Sequence, residues 1–139
     1  MSHVSRIELE INSLDDLKQA CKRLQLKFME NQKFYKWYGR YVGDASLPEG
    51  ITIDDLGKCD HAIKVPGAIY EIGIVHKNNK YILLWDTWHA GKLKEKLGKN
   101  AGLLKQAYAI ERVRKEAKRK TYRLQEKQIP NGIRLVLNF

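Results

Sequence analysis

At 139 residues, 43% apolar and 30% charged, the chain has the size and composition of a single folded domain, 1–139, that can bury its own core. No run approaches the roughly 18 apolar residues that a membrane-spanning helix needs, and the start MSHVSRIELE lacks the charged, apolar and small-residue zones of a secretion signal. Membrane and secreted classes are therefore excluded at this level, and a cytoplasmic protein without a leader is expected. The 26 Lys and Arg against 16 Asp and Glu leave a net charge of +10, which favours an anionic partner through counterion release without identifying it.

In chain order, Ile7, Leu9 and Ile11 alternate with Arg6, Glu8 and Glu10, the period-2 pattern of a half-buried strand. Ser13 then caps a predicted helix on which Leu14, Leu17, Cys21 and Leu24 recur at helical spacing. Residues 27–60 are punctuated by Gly39, Gly43, Pro48, Gly50 and Gly57, which predicts one or two irregular strands and a long loop. Residues 61–88 read as β-rich runs: HAIKVPGAIYEIGIV, a turn at Asn78-Asn79, and YILLWDTW.

The segment GLLKQAYAIERVRKEAKRK has no proline or internal glycine and predicts one long helix over 101–120. Its expected inner stripe is Leu103, Ala107, Ile110 and Ala117, with Leu104 and Tyr108 beside it. The C-terminal part reads as two strands joined at Ile129-Pro-Asn-Gly132, the last with Ile133, Leu135, Leu137 and Phe139 pointing inward. The summed order, β-α-β-β-β-α-β-β, predicts an α+β fold: a mainly antiparallel sheet with two helices packed on one face.

Chemistry is sparse. LGKNAGLLK lacks both the upstream glycine and the hydroxyl of a phosphate-binding P-loop, although Lys99 near the Gly98–Gly102 junction suits a phosphate weakly. Cys59-Asp60-His61 has no second ligand pair at zinc spacing, so no metal and no cofactor are expected. Asp86 and His89, with Cys59 as a thiol, form the one conceivable catalytic set, and four scattered histidines need no such explanation. No catalytic residue is assigned. Two cysteines allow one disulfide at most, and Cys21 falls on the apolar side of its predicted helix, so a reducing compartment is expected.

Two segments carry stronger signals. From Arg112 to Arg123, seven cations stand against Glu116 alone, and Arg112, Lys115 and Arg119 share one helix face, with Lys118 and Lys120 beside them. That row suits a phosphate backbone, or it is the solvated side of an amphipathic helix. Residues 33–41, KFYKWYGRY, hold five aromatic side chains and three cations with no acid. In extended form Tyr35 and Trp37 face one side, and Phe34, Lys36, Tyr38 and Arg40 the other. Rings interleaved with Lys33, Lys36 and Arg40, and flanked by Tyr41, are what a single-stranded nucleic-acid platform requires; aromatic residues are also ordinary strand formers and interface residues.

The segments MSHVSRIELEINSLDDLKQACKRL, DHAIKVPGAIYEIGIVHKNNKYILLWDTW and GLLKQAYAIERVRKEAKRKTYRL, with the ending IRLVLNF, resemble the plastid hypothetical reading-frame family thirty-five, found in algal plastids, cyanobacteria, other bacteria and bacteriophages. The resemblance implies an intracellular single domain and supplies no activity or catalytic residues. The aromatic–basic segment and the high basicity depart from typical plastid members, which points away from photosynthesis and toward a bacterial or phage setting.

The expectation that follows is a small, basic, non-enzymatic binding module for RNA, DNA or a ribonucleoprotein, using Lys33, Tyr35, Lys36, Trp37, Tyr38, Arg40 and Tyr41 together with Arg112, Lys115, Lys118, Arg119 and Lys120. The alternative is an adaptor subunit docking on an acidic protein. The sequence specifies no oligomeric state, and a single nucleic-acid site requires the two basic segments to share a face.

Overall fold

The structure is a computed structural model that describes residues 3–41, 46–119, 123–130 and 132–138, with backbone alone for 123–125, 137 and 138; the elements below are those among the described residues. Strand β1 (Val4–Ile11) leads into helix α1 (Leu14–Arg23) and a short strand β2 (Lys27–Met29). After an irregular stretch come β3 (His61–Lys64), β4 (Glu71–Lys77) and β5 (Lys80–Asp86), a short helix α2 (Leu93–Leu97), the long helix α3 (Gly102–Arg119), and a hairpin of β6 (Arg123–Ile129) and β7 (Gly132–Asn138).

Five strands form one antiparallel sheet in the order β1-β5-β4-β3-β2. Consecutive elements become neighbours through tight turns: Asn78 and Asn79 take positive φ values of 51° and 63°, the geometry that closes a two-residue hairpin between twisted strands. Helix α1 begins where expected, with the backbone N–H of Asp16 donating to Ser13 Oγ at 3.2 Å, which satisfies one of the free donors of the first turn. The α+β expectation holds, with one refinement. The C-terminal hairpin forms its own two-stranded sheet instead of extending the main one.

The register of β5 sorts the core into two halves. Leu83 and Trp85 face one side, where they pack with Ile7, Ile11, Ile72 and Ile74 against Leu17, Ala20 and Cys21 of α1 and Leu104, Ala107 and Tyr108 of α3. The Tyr108 hydroxyl also accepts from the backbone N–H of Asn12 at 3.2 Å, tying α3 to the start of α1. Leu103 is 48% exposed, not part of the inner stripe, and Leu104 takes its place. Asn100 and Ala101 adopt positive φ immediately before α3, so the helix enters with a phase that an uninterrupted periodicity does not reveal.

Ile82 and Leu84 face the opposite side of the sheet, where Val4 and Ala62 join them. No α-helix among the described residues packs on that face. The irregular segments 30–41 and 46–60 lie on it and supply Tyr35, Ile51, Leu56 and Cys59 as its cover. The long loop predicted from glycine punctuation is thus a structural layer of the protein. No helix among the described residues is long and apolar enough to cross a membrane.

Candidate nucleic-acid interface

The segment 33–41 is a strap, not a strand. Its one ladder contact is an isolated bridge between Phe34 and Lys58, yet its side chains alternate. Tyr35 is 3% exposed and lies on the sheet at Gly73, where a methyl group in place of the glycine hydrogen would overlap the ring. Trp37 packs over Gly57 and, with Tyr41, is half-buried against the strap-side core. Burial pushes the Tyr35 phenol up to about 12. Its hydroxyl has no hydrogen-bond partner among the described residues.

Two buried carboxylates staple the strap to β4 and β5. Glu71 Oε1 accepts from the Lys36 backbone N–H at 3.1 Å and from Gln32 Nε2 at 3.0 Å, and the Glu71 N–H donates back to the Lys36 carbonyl at 2.9 Å. Asp86 is fully buried and holds three chain segments at once. Its Oδ1 accepts from the backbone N–H groups of His3 and Trp88, and its Oδ2 from that of Tyr38, each at 3.0 Å. Each staple satisfies a backbone donor that a non-repetitive segment would otherwise bury unpaired.

What faces outward is therefore fixed. Phe34 is 66% exposed and Tyr38 37%, and Lys33, Lys36 and Arg40 are exposed beside them. None of these three cations has an ion-pair partner among the described residues. Of the aromatic candidates, Tyr35 is committed to the core, Trp37 and Tyr41 lie half inside it, and Tyr38 stands open, joined by Phe34.

The α3 cations lie on the other side of the sheet, because α3 packs on the face of Leu83 and Trp85 whereas the strap packs on the face of Ile82 and Leu84. The two basic segments do not form one continuous surface. Most α3 cations also have carboxylate neighbours. Arg112 and Lys115 sit 3.9 and 3.8 Å from the buried Asp16, Arg119 pairs with Glu116 at 3.0 Å, and Arg114 pairs with Glu126. Lys118 is exposed, and Lys120 lies outside the described residues.

The catalytic set read from the sequence meets different geometry. The Asp86 carboxylate is engaged by backbone donors, while the His89 ring lies against Trp88 with centroids 4.2 Å apart. Cys59 Sγ donates to the Gln32 carbonyl at 3.2 Å, and burial pushes its thiol up to about 11, which keeps it protonated and unreactive at neutral pH. No group of three or more metal-ligating side chains occurs among the described residues.

A second aromatic–basic group, unnoticed in the sequence, adjoins the strap. His3, Thr87, Trp88, His89, Lys92, Lys94 and Glu95 line a cleft of about 560 Å³. The signal was present in WDTWHAGKLK, where rings precede lysines, but the tie to Tyr38 through Asp86 requires the fold. Comparison with family models, curated proteins and solved structures finds no match to this chain.

Proposed function

We propose that the protein is a small non-enzymatic module that binds single-stranded RNA or DNA along the outer edge of the strap. One observation carries this reading: Phe34 and Tyr38 stand exposed among Lys33, Lys36 and Arg40 on a segment anchored from beneath by Tyr35, Glu71 and Asp86. Rings that are already positioned lose little freedom on stacking with bases, and cations without protein partners meet phosphates without first breaking an ion pair. Contacts of this kind neutralise and stack, with little base readout. The two reduced, buried cysteines support a cytoplasmic setting.

The test is fluorescence anisotropy with short single-stranded RNA, single-stranded DNA and duplex at several salt concentrations. Three phosphate contacts predict a log–log salt slope of about −2 for single strands. Tyr38→Ala weakens binding, Lys36→Ala with Arg40→Ala flattens the slope, and α3 substitutions at Lys115 and Lys118 leave both unchanged. Salt-independent binding, or equal sensitivity to the α3 variants, refutes the strap assignment.

The second reading is an adaptor that meets an acidic protein through α3. It is favoured by the exposure of Arg112, Lys115, Lys118 and Arg119 on the face away from the strap. The 3.8–3.9 Å separations from Asp16 are loose enough for a partner's carboxylates to compete. A stoichiometric protein partner that survives nuclease treatment and is lost with Lys115→Glu and Lys118→Glu supports it.

A further inference from the structure

The cleft beside Trp88 has the chemistry of a one-nucleotide subsite, and we infer that it holds one base with its phosphate; this inference rests on the single-strand reading above and extends it to a second surface. Three rings form one wall. His3 and Trp88 are stacked with centroids 6.1 Å apart and planes inclined by 27°, and His89 tilts against Trp88 at 4.2 Å. Lys92 and Lys94 line the same cleft, exposed and without an ion-pair partner among the described residues, and Glu95 lines it with them. The volume of about 560 Å³ lies within the range of small-molecule sites.

Each part selects the ligand class. Flat aromatic faces favour a π-system over an aliphatic chain. Two ammonium groups favour an anion attached to it. The Glu95 carboxylate disfavours a ligand that is anionic throughout and suits one bearing N–H or O–H donors, as a base edge or a ribose does. A nucleoside phosphate combines these features, whereas an acidic peptide lacks the flat ring and an aromatic hydrocarbon lacks the charge.

Position supports the same assignment. Because the Tyr38 and Trp88 backbone N–H groups both donate at 3.0 Å to the Asp86 carboxylate, the strap at Tyr38 is held beside the cleft residue Trp88. A strand stacked on Phe34 and Tyr38 therefore continues toward Trp88. Lys92 is held at φ 65°, a left-handed conformation that an asparagine adopts readily, so Lys92→Asn removes the charge without adding backbone strain.

Adenosine 5′-monophosphate, adenosine and inorganic phosphate are titrated separately into ¹⁵N-labelled full-length protein and followed by amide and indole shifts. Adenosine 5′-monophosphate is expected to shift Thr87, Trp88, Lys92 and Lys94 as one cluster. Lys92→Asn with Lys94→Gln weakens it by at least about tenfold, the loss of two charge-assisted contacts, while adenosine changes little. Trp88→Leu weakens both. Shifts that inorganic phosphate reproduces alone, or shifts scattered over the surface, overturn the subsite, and the wild-type titration gives that answer even if a variant fails to fold. Oligonucleotide binding that is unaffected by the cleft variants refutes the cleft and leaves the strap reading intact. Mononucleotide binding in the cleft without oligonucleotide binding refutes the strap reading alone.

Discussion

Replacing Asp86 by asparagine separates the roles of shape and charge at the point where three segments meet. The carboxylate, itself fully buried, accepts three backbone N–H groups, from His3, Tyr38 and Trp88, all at 3.0 Å. Asparagine has the same outline but one acceptor atom. If its oxygen stays with His3 and Trp88, its NH₂ group faces the Tyr38 N–H, donor against donor. One charge-assisted bond is lost, worth about 2 kcal/mol, and two others fall to neutral strength, with a partial offset because a neutral amide is easier to bury; the net cost is about 3 kcal/mol. For a chain of this length that lowers the melting midpoint by roughly 10 °C. Urea unfolding gives the global number, and amide exchange gives its location: Tyr38 exchanges faster while Ile72 and Leu83, on the helix side of the sheet, stay protected at moderate denaturant. A loss below about 1 kcal/mol, or uniform acceleration across both faces, refutes the assignment of Asp86 as the staple of the strap.

Other expectations follow from individual side chains. Tyr35→Phe removes a buried hydroxyl that has no partner among the described residues, so thermal unfolding should show a gain of about 1 kcal/mol; a loss of that size means the hydroxyl is bonded in solution. Arg23 first and Arg114 second hold the Glu126 carboxyl below the ordinary glutamate range. A depressed value makes its contribution present above the unfolded pKa of about 4.3 and lost as pH falls through the folded one. Exchange protection of β6 and β7 should accordingly drop in acid before that of the main sheet, and Glu126→Gln should abolish that step. Burial pushes the Cys21 and Cys59 thiols up to about 12 and about 11, so an aromatic disulfide reagent at mildly alkaline pH should label the unfolded chain fast and the native chain slowly; rapid native labelling of either contradicts their burial.

Local chemistry made much of the fold legible. The alternation of Ile7, Leu9 and Ile11, the cap at Ser13, the Asn78-Asn79 turn and the unbroken helix formers after Gly102 each depend on residues within a few positions of one another. The second face of the sheet was hidden because its closure is non-local. Tyr35 fits only where β4 carries Gly73, and Tyr38 is fixed by a carboxylate 48 positions away. Asp86 read as a partner for His89 because proximity in sequence suggested a dyad, while in space its oxygens serve the backbone. The placement of the two basic segments on opposite faces follows from the parity of β5, where Leu83 and Leu84 point to different layers.

The excess of positive charge can now be apportioned. On α3, Arg112, Arg114, Lys115 and Arg119 must leave Asp16, Glu116 or Glu126 before they neutralise a phosphate, so part of each such contact only replaces an old one. The exposed Arg119–Glu116 pair is of a kind that contributes about 0–1 kcal/mol, and Arg112 and Lys115 already face the buried Asp16 carboxylate, so each exchange returns little and the helix is a poor source of affinity for a nucleic-acid backbone. Lys33, Lys36, Arg40, Lys92 and Lys94 have no such partner among the described residues, and they border Phe34, Tyr38 and Trp88 on surfaces joined at Asp86. Each contact made there adds counterion release without an internal loss. A cation-dense helix is therefore the more conspicuous feature in the sequence and the weaker one in energy, and the order of affinity losses on mutating the strap, the cleft and α3 distinguishes charge density from available charge.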